Sequence, residues 1–125
     1  MRPLANDAHS AMLKAVRSAC EGDVLLRQLI DAGPDGDALV IEGLSSEAWR
    51  SVTFEGHRHR LELGLRGEAA TLNLAHQRLV ARLGDGDLPM SGRCVIDTSL
   101  ADARTERDAD GERRRLVFEL LTLED

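Results

Sequence analysis

Few residues of this chain have the types and spacing that chemistry requires. His57 and His59 stand two apart in His57-Arg58-His59-Arg60, so on a strand both imidazoles point to one face. Two nitrogens make half of a tetrahedral zinc site, and no cysteine or carboxylate is fixed beside them by spacing; only the fold could bring up His76 or an aspartate. The expectation is solvated or interfacial histidines and no metal. Three Asp-x-Asp pairs, Asp35/Asp37, Asp85/Asp87 and Asp108/Asp110, sit next to glycines. The third begins like a calcium loop, Asp-x-Asp-Gly, but one glutamate and then Arg113, Arg114 and Arg115 follow where oxygen ligands should be, so these are turns. The three arginines could clamp a phosphate, yet they lie among Asp and Glu and read as a solvated or subunit-pairing edge. Ser45, Ser46 and Ser99 lack the Gly-x-Ser-x-Gly context of an esterase nucleophile, and neither a phosphate loop nor a dinucleotide fingerprint occurs. The residues thus predict no enzyme, no cofactor and no catalytic site.

The elements that must carry these residues follow from periodicity. Asn6 or Asp7 can cap a first helix whose apolar stripe is Ala8, Met12, Ala15, Val16 and Ala19, ended by Gly22. Asp23 can cap a second, with Val24, Leu25, Leu29 and Ile30 apolar, up to Gly33-Pro34. After the connector Asp35-Gly36-Asp37, the nearly continuous apolar run Ala38 to Glu42 predicts a strand buried on both faces, and Gly43 to Glu47 a polar loop. Strand character returns irregularly around Trp49, Val52 and Phe54. His57 to Arg66 alternates most cleanly, with Leu61, Leu63 and Leu65 on one side and Arg60, Glu62, Gly64 and Arg66 on the other. Ten such residues span roughly 33 Å, a long edge to cover or to use.

Glu68 to Leu83 predicts a third helix, with Leu72, Ala75 or His76, Leu79, Val80 and Leu83 buried. Asp85-Gly86-Asp87 turns the chain toward a final hairpin around Asp108-Ala109-Asp110-Gly111. One arm alternates Cys94, Ile96, Thr98 and Leu100, and the other Leu116, Phe118 and Leu120. The expected class is α+β: a mostly antiparallel sheet of about four strands, with two N-terminal helices and one further helix packed on it, in a single domain over residues 1–125.

Composition narrows the function classes. A chain of 125 residues buries ~65–70% of its unfolded surface and needs no disulfide or metal to hold it. Cys20 and Cys94 are expected as buried, reduced thiols. With 42% hydrophobic residues but only Trp49, Phe54 and Phe118 as aromatics, the core is aliphatic. The net charge of −6 opposes general nucleic-acid binding, which relies on basic side chains displacing counterions from phosphates. No apolar run approaches the ~20 residues of a membrane span, and the N-terminus lacks the apolar core of a signal peptide.

Taken in order, several of these segments resemble a known family. They are the two-helix N-terminus with Val24-Leu25-Leu26 and Leu29-Ile30, the strand Leu39-Val40-Ile41-Glu42-Gly43, and Trp49. Then come Gly56-His57-Arg58-His59-Arg60-Leu61-Glu62-Leu63, the Ala/Leu-rich third helix, and Ala103-Arg104-Thr105 with Arg107-Asp108-Ala109-Asp110-Gly111, Arg114 and the strand through Leu121-Thr122. Together they are similar to the tail-completion, or tail-terminator, proteins of long-tailed bacteriophages and gene transfer agents. The chain departs from that pattern in its short Asp35-Gly36-Asp37 connector and in the non-aromatic exit Gly64-Leu65-Arg66-Gly67.

The resemblance implies a structural, non-enzymatic protein of a virion or phage-like particle, assembled in the bacterial cytoplasm. It implies a homo-oligomeric ring of six copies at the head-proximal end of the tail tube, where tube polymerisation stops. Its partners would be the tail tube protein and the head–tail connector or stopper, with DNA passing through the lumen without specific binding and no membrane contact. Neighbouring readings are another connector subunit or a small non-viral adaptor. Candidate subunit, tail or connector contacts are Asp35, Asp37, Arg60, Glu62, Arg66, Asp85, Asp87, Arg104, Asp108, Asp110, Arg113 and Arg114.

Overall fold

In the computed structural model the described residues are 4–32, 36–84, 88, 90, 92–109 and 111–124, with backbone alone described for 4–7 and 108. The elements are α1 (Leu4–Glu21), α2 (Val24–Ile30), β1 (Ala38–Arg50), β2 (Glu55–Gly67), α3 (Ala69–Gly84), β3 (Arg93–Asp108) and β4 (Gly111–Glu124). The strands form one antiparallel sheet in the order β1-β2-β4-β3. This is the α+β class expected from periodicity.

The central pair is β2 with β4. Leu61 lies opposite Phe118, Leu63 opposite Leu116 and His59 opposite Leu120. Together with Leu65 these leucines and Phe118 are almost wholly buried. They meet Met12, Ala15, Val16 and Cys20 of α1, Leu26 and Leu29 of α2, and Leu72, Ala75, Leu79 and Leu83 of α3 in one core. Each large apolar side chain withdrawn from water here contributes ~1.5–3 kcal/mol. The helices therefore cover one face of the sheet, the inner face, and leave the other open.

Local chemistry fixes the joints. Asp23 caps α2 through Oδ1, which accepts from the amides of Leu25 at 3.0 Å and Leu26 at 3.2 Å, while Oδ2 accepts from Arg78 of α3 at 3.0 Å. Burial pushes this carboxyl upward, but the Leu26 amide and Arg78 outweigh it and hold its pKa below the usual carboxylate value. The β1–β2 turn closes through the Ser51 amide donating to the Phe54 carbonyl at 2.8 Å and the Phe54 amide donating to Ser51 Oγ at 3.0 Å. Gly111 opens β4 at φ 130°, a value open to glycine alone without strain. Gly56 has another reason: a Cβ there would collide with the main-chain carbonyl of Thr122.

Several expectations are corrected. α1 starts at Leu4, so Asn6 and Asp7 lie within it rather than capping it. In α2 Leu26 is buried together with the expected Leu29, and Val24 is exposed, because Asp23 sets the rotation of so short a helix. Ala38–Glu42 is not central: β1 is an edge strand, and Val40 lies open at 53% exposure. Gly43–Glu47 is no loop but the continuation of β1, carried past an extra residue, Glu42, between Ile41 and Gly43. Val52 and Phe54 fall in the β1–β2 turn and are exposed, and Val80 sits on the outer side of α3.

The alternation of Cys94, Ile96, Thr98 and Leu100 also fails. The extra residue at Ile96 breaks it, so Cys94 falls on the open side and is exposed and Ile96 is 47% exposed, while Leu100 keeps the inner side opposite Phe118 yet remains 37% exposed. Cys20 is the buried thiol, with a pKa raised to about 11 by burial and by Asp23 and Glu21.

Truncating Phe118 to alanine at the centre of the β2–β4 pair should cost ~3–5 kcal/mol in urea unfolding, against within ~0.5 kcal/mol for Val40→Ser on the open edge. Gly56→Ala should also destabilise measurably, because the obstructing atom is backbone and cannot turn aside.

Candidate functional site

The open face of the sheet gathers five of the twelve expected contact residues. Register places its side chains in rows across the four strands. From the β3–β4 turn onward they read Ala38–Arg66–Arg113–Glu106, then Val40–Gly64–Arg115–Arg104, then Gly43–Glu62–Val117–Asp102. Ser45–Arg60–Glu119–Ser99, Glu47–Arg58–Leu121–Asp97 and Trp49–Gly56–Leu123–Cys94 complete it. The first two rows are dominated by arginine, and the next three carry most of the carboxylates.

Ion pairs lace the face. Arg115 reaches Glu62 at 2.9 Å, Arg60 lies 3.9 Å from Glu62 and 3.7 Å from Glu119, and Arg58 lies 3.8 Å from Glu47. Arg104 pairs with Asp102 at 3.0 Å, and Arg66 Nε donates to the Gly36 carbonyl at 3.1 Å. All are exposed or half-exposed, so each is worth well under ~1 kcal/mol. Over the arginine rows the sheet forms a groove of about 450 Å3 lined by Arg66, Arg104, Arg113, Arg114 and Arg115, with Glu42 and Glu106.

The inner face holds the histidines. Strand parity continues the Leu61-Leu63-Leu65 side backward through His59 and His57, and both are buried, not solvated as expected. Ser46 Oγ lies 2.7 Å from His59 Nδ1 and 3.2 Å from His9 Nδ1; His59 Nε2 lies 3.4 Å from Thr122 Oγ1, which donates to the His57 carbonyl at 3.3 Å. One tautomer satisfies the whole chain: Ser46 donates to Nδ1, and Nε2–H of a neutral His59 donates to Thr122. Beyond it, His57 Nδ1 and Arg93 Nε stand 3.2 and 3.6 Å from Glu124 Oε1, within ion-pairing distance but without hydrogen-bond geometry.

A serine on a histidine nitrogen invites comparison with a nucleophile and its base. Thr122, not a carboxylate, occupies the far nitrogen. Burial first, then positive charge at His57, His9 and Arg93, pushes the His59 pKa down to about 4, so it is a poor base at neutral pH. The cluster is arranged to hold α1, β1, β2 and β4 together. Among the described residues no group of three or more His, Cys, Asp or Glu is placed to hold a metal ion.

Of the expected contact residues, Arg60, Glu62, Arg66, Arg104 and Arg113 share the open face. Arg114 belongs to the inner side, where it donates to Thr105 Oγ1 at 3.0 Å and Asn73 Oδ1 at 2.8 Å and approaches His76 at 3.4 Å. Burial and that guanidinium lower the His76 pKa. Asp37 is half-buried with its carboxylate against Gly67. Asp35, Asp85, Asp87 and Asp110 lie outside the described residues, as does the side chain of Asp108. Arg115 and Glu119, which are not among the expected contacts, also lie on this face, two and six residues beyond Arg113 along β4.

No protein-family model matches the chain, and no curated protein matches it by sequence. Among solved structures it is similar to a chain from the virion of a native gene transfer agent particle. The identity is 22%, the TM-score 0.75, and the match covers 93% of this chain and 97% of that one. At that identity the likeness establishes a shared fold.

The histidine cluster has a pH consequence. The folded chain keeps His59 neutral, so between its ordinary value of 6.5 and about 4 the unfolded chain binds the extra proton. The stabilising contribution is complete above that window and is lost as pH falls through it, by ~3 kcal/mol. Urea midpoints measured on either side of the window should show the fall. In His59→Gln, which is less stable at neutral pH, the slope across the window should be shallower.

Proposed function

We propose that this chain is a structural, non-enzymatic subunit of a phage-like particle, one domain that serves as a tail terminator. Copies of it close into a ring, six in the family it resembles, at the head-proximal end of the tail tube. The observation that carries the reading is the end-to-end likeness to a chain of a gene transfer agent virion, which spans nearly all of both chains rather than one shared supersecondary unit. The hairpin Ala-Arg-Thr-x-Arg-Asp-x-Asp-Gly at 103–111 and the His-x-His-x-Leu-x-Leu strand at 57–63 support it independently.

The fold suits the task. A ring closes when one unlike contact repeats by a rotation that returns to its start, and this requires two different surfaces on each copy. Here one side of the sheet is roofed by three helices and the other presents charged rows, so the two sides of the wedge are chemically unlike. One surface fits the tube and the next copy; the opposite one fits a connector and admits no further tube subunit. The net charge of −6 lets DNA of like sign pass through a lumen without being held. The contact residues are drawn from Asp37, Arg60, Glu62, Arg66, Arg104, Arg113 and the turns beside them.

Deletion of the coding sequence, followed by electron microscopy of the particles, tests this role. Unattached heads and tails of uncontrolled length are expected, and restoring the chain in trans should restore joined particles. Intact particles of normal tail length would overturn the reading.

A further inference from the structure

We propose that the arginine groove at the turn end of the open face is a docking site for an extended acidic segment of a partner protein, with carboxylates at alternate positions. Arg66 stands directly across from Arg113, and Arg104 across from Arg115, two like-charged cross-strand pairs in adjacent rows. Like charges set across from each other repel, and here Glu62 on Arg115 and Asp102 on Arg104 offset that repulsion through part-exposed ion pairs that an incoming carboxylate can exchange. These four arginines line the groove with Glu42 and Glu106, a cluster of guanidiniums in a chain whose net charge is −6.

Shape agrees with charge. Gly64 shares a row with Arg115 and Arg104, and its missing side chain leaves room between β1 and β4. Over that glycine lies the carboxylate of Glu42, brought there by the extra residue in β1; a Cβ on Gly64 would meet it. The floor of the groove thus already accommodates a carboxylate from the chain itself. Arg113 and Arg115 lie on the same side of β4, two residues or ~7 Å apart. An extended segment with acidic side chains at alternate positions repeats at that distance, and each planar guanidinium can take a carboxylate with two donors.

A nucleic-acid backbone fits less well. The rows next to the groove present Glu62, Asp102, Glu119, Glu47 and Asp97, which would repel phosphates continuing across the face. A groove of about 450 Å3 takes a few side chains rather than a duplex, and among the described residues no unbroken basic stripe extends from it.

The test uses the whole chain and three probes at low ionic strength: a labelled Asp-Ala-Asp-Ala-Asp peptide, its Asn-Ala-Asn-Ala-Asn counterpart, and a short DNA duplex. The acidic peptide should bind and weaken as salt rises, the amide peptide should not bind, and the duplex should bind less tightly than the acidic peptide. Arg104→Glu/Arg115→Glu should weaken the acidic peptide at least ~10-fold with an unchanged circular dichroism spectrum. Should the reversal disturb folding, Arg104→Gln/Arg115→Gln removes the charges more gently and is expected to lose binding as well. Arg17→Glu/Arg27→Glu, exposed on the helical side, should leave peptide binding unaltered. Preference for the duplex, equal peptide binding by the groove variants, or no peptide binding by the parent chain would each overturn the proposal.

Discussion

The rest of this molecule depends on one dry seam, where Leu61, Leu63 and Leu65 of β2 lie beside Leu116, Phe118 and Leu120 of β4. Side chains in a strand alternate between two faces, so once this set is excluded from water its neighbours are committed to the other side. Arg60, Glu62, Gly64 and Arg66, with Arg113, Arg115, Val117 and Glu119, have no other place to go. A slip of one residue in β2 would bury Arg60 and Arg66 and expose Leu61, Leu63 and Leu65. The core and the charged face are thus two readings of a single register. Stability and the surface available for recognition cannot be varied independently along these two strands.

Much of the architecture was legible because that seam is written in period two, and the helical stripes of α1 and α3 in steps of three and four. Asp23 as a cap and Gly111 as the pivot of the last turn were legible for the same reason, since each follows from the local chemistry of one residue. What sequence could not show was parity after a bulge. Glu42, Ile96 and Ala101 each add one residue, and each inverts the inward and outward sense of everything beyond it. That is why Gly43–Glu47 looked like a loop and why Cys94 and Ile96 looked like core. The place of β1 at the edge is likewise non-local: Leu39 and Ile41 read as a central strand, but which strands flank them is decided by the pairing of β2 with β4.

The histidines are a different kind of miss, because the signal was present. Counting backward in twos from Leu61 reaches His59 and His57, on the leucine side. Residue type suggested solvent, and parity said core; parity prevailed because Ser46, Thr122 and His9 supply the partners that make a buried neutral imidazole tolerable. A polar cluster of this kind adds little net stability compared with a packed apolar one, but it is selective. Its bonds form only when α1, β1, β2 and β4 are in their proper relative positions. The leucine seam alone, built from similar side chains, would tolerate small displacements that the hydrogen-bonded chain does not.

The same bulges bear on how such a chain can meet a neighbour. Both outer strands are long, and a long unpaired edge invites another strand to add to it. Yet β1 is interrupted at Glu42, and β3 at Ile96 and Ala101. At each break the spacing of main-chain donors and acceptors departs from that of a regular strand, so an incoming chain cannot pair along the whole edge. The longest uninterrupted stretches are Gly43–Arg50 and Asp102–Asp108. The face suffers no such interruption across β2 and β4, whose register runs unbroken from Gly56 to Gly67. A partner that reads side chains on the open face therefore meets a continuous, fixed pattern of charge, whereas a partner that reads main chain at the edges meets fragments. Specific contact through the guanidiniums and carboxylates of the face is the arrangement that this sheet favours.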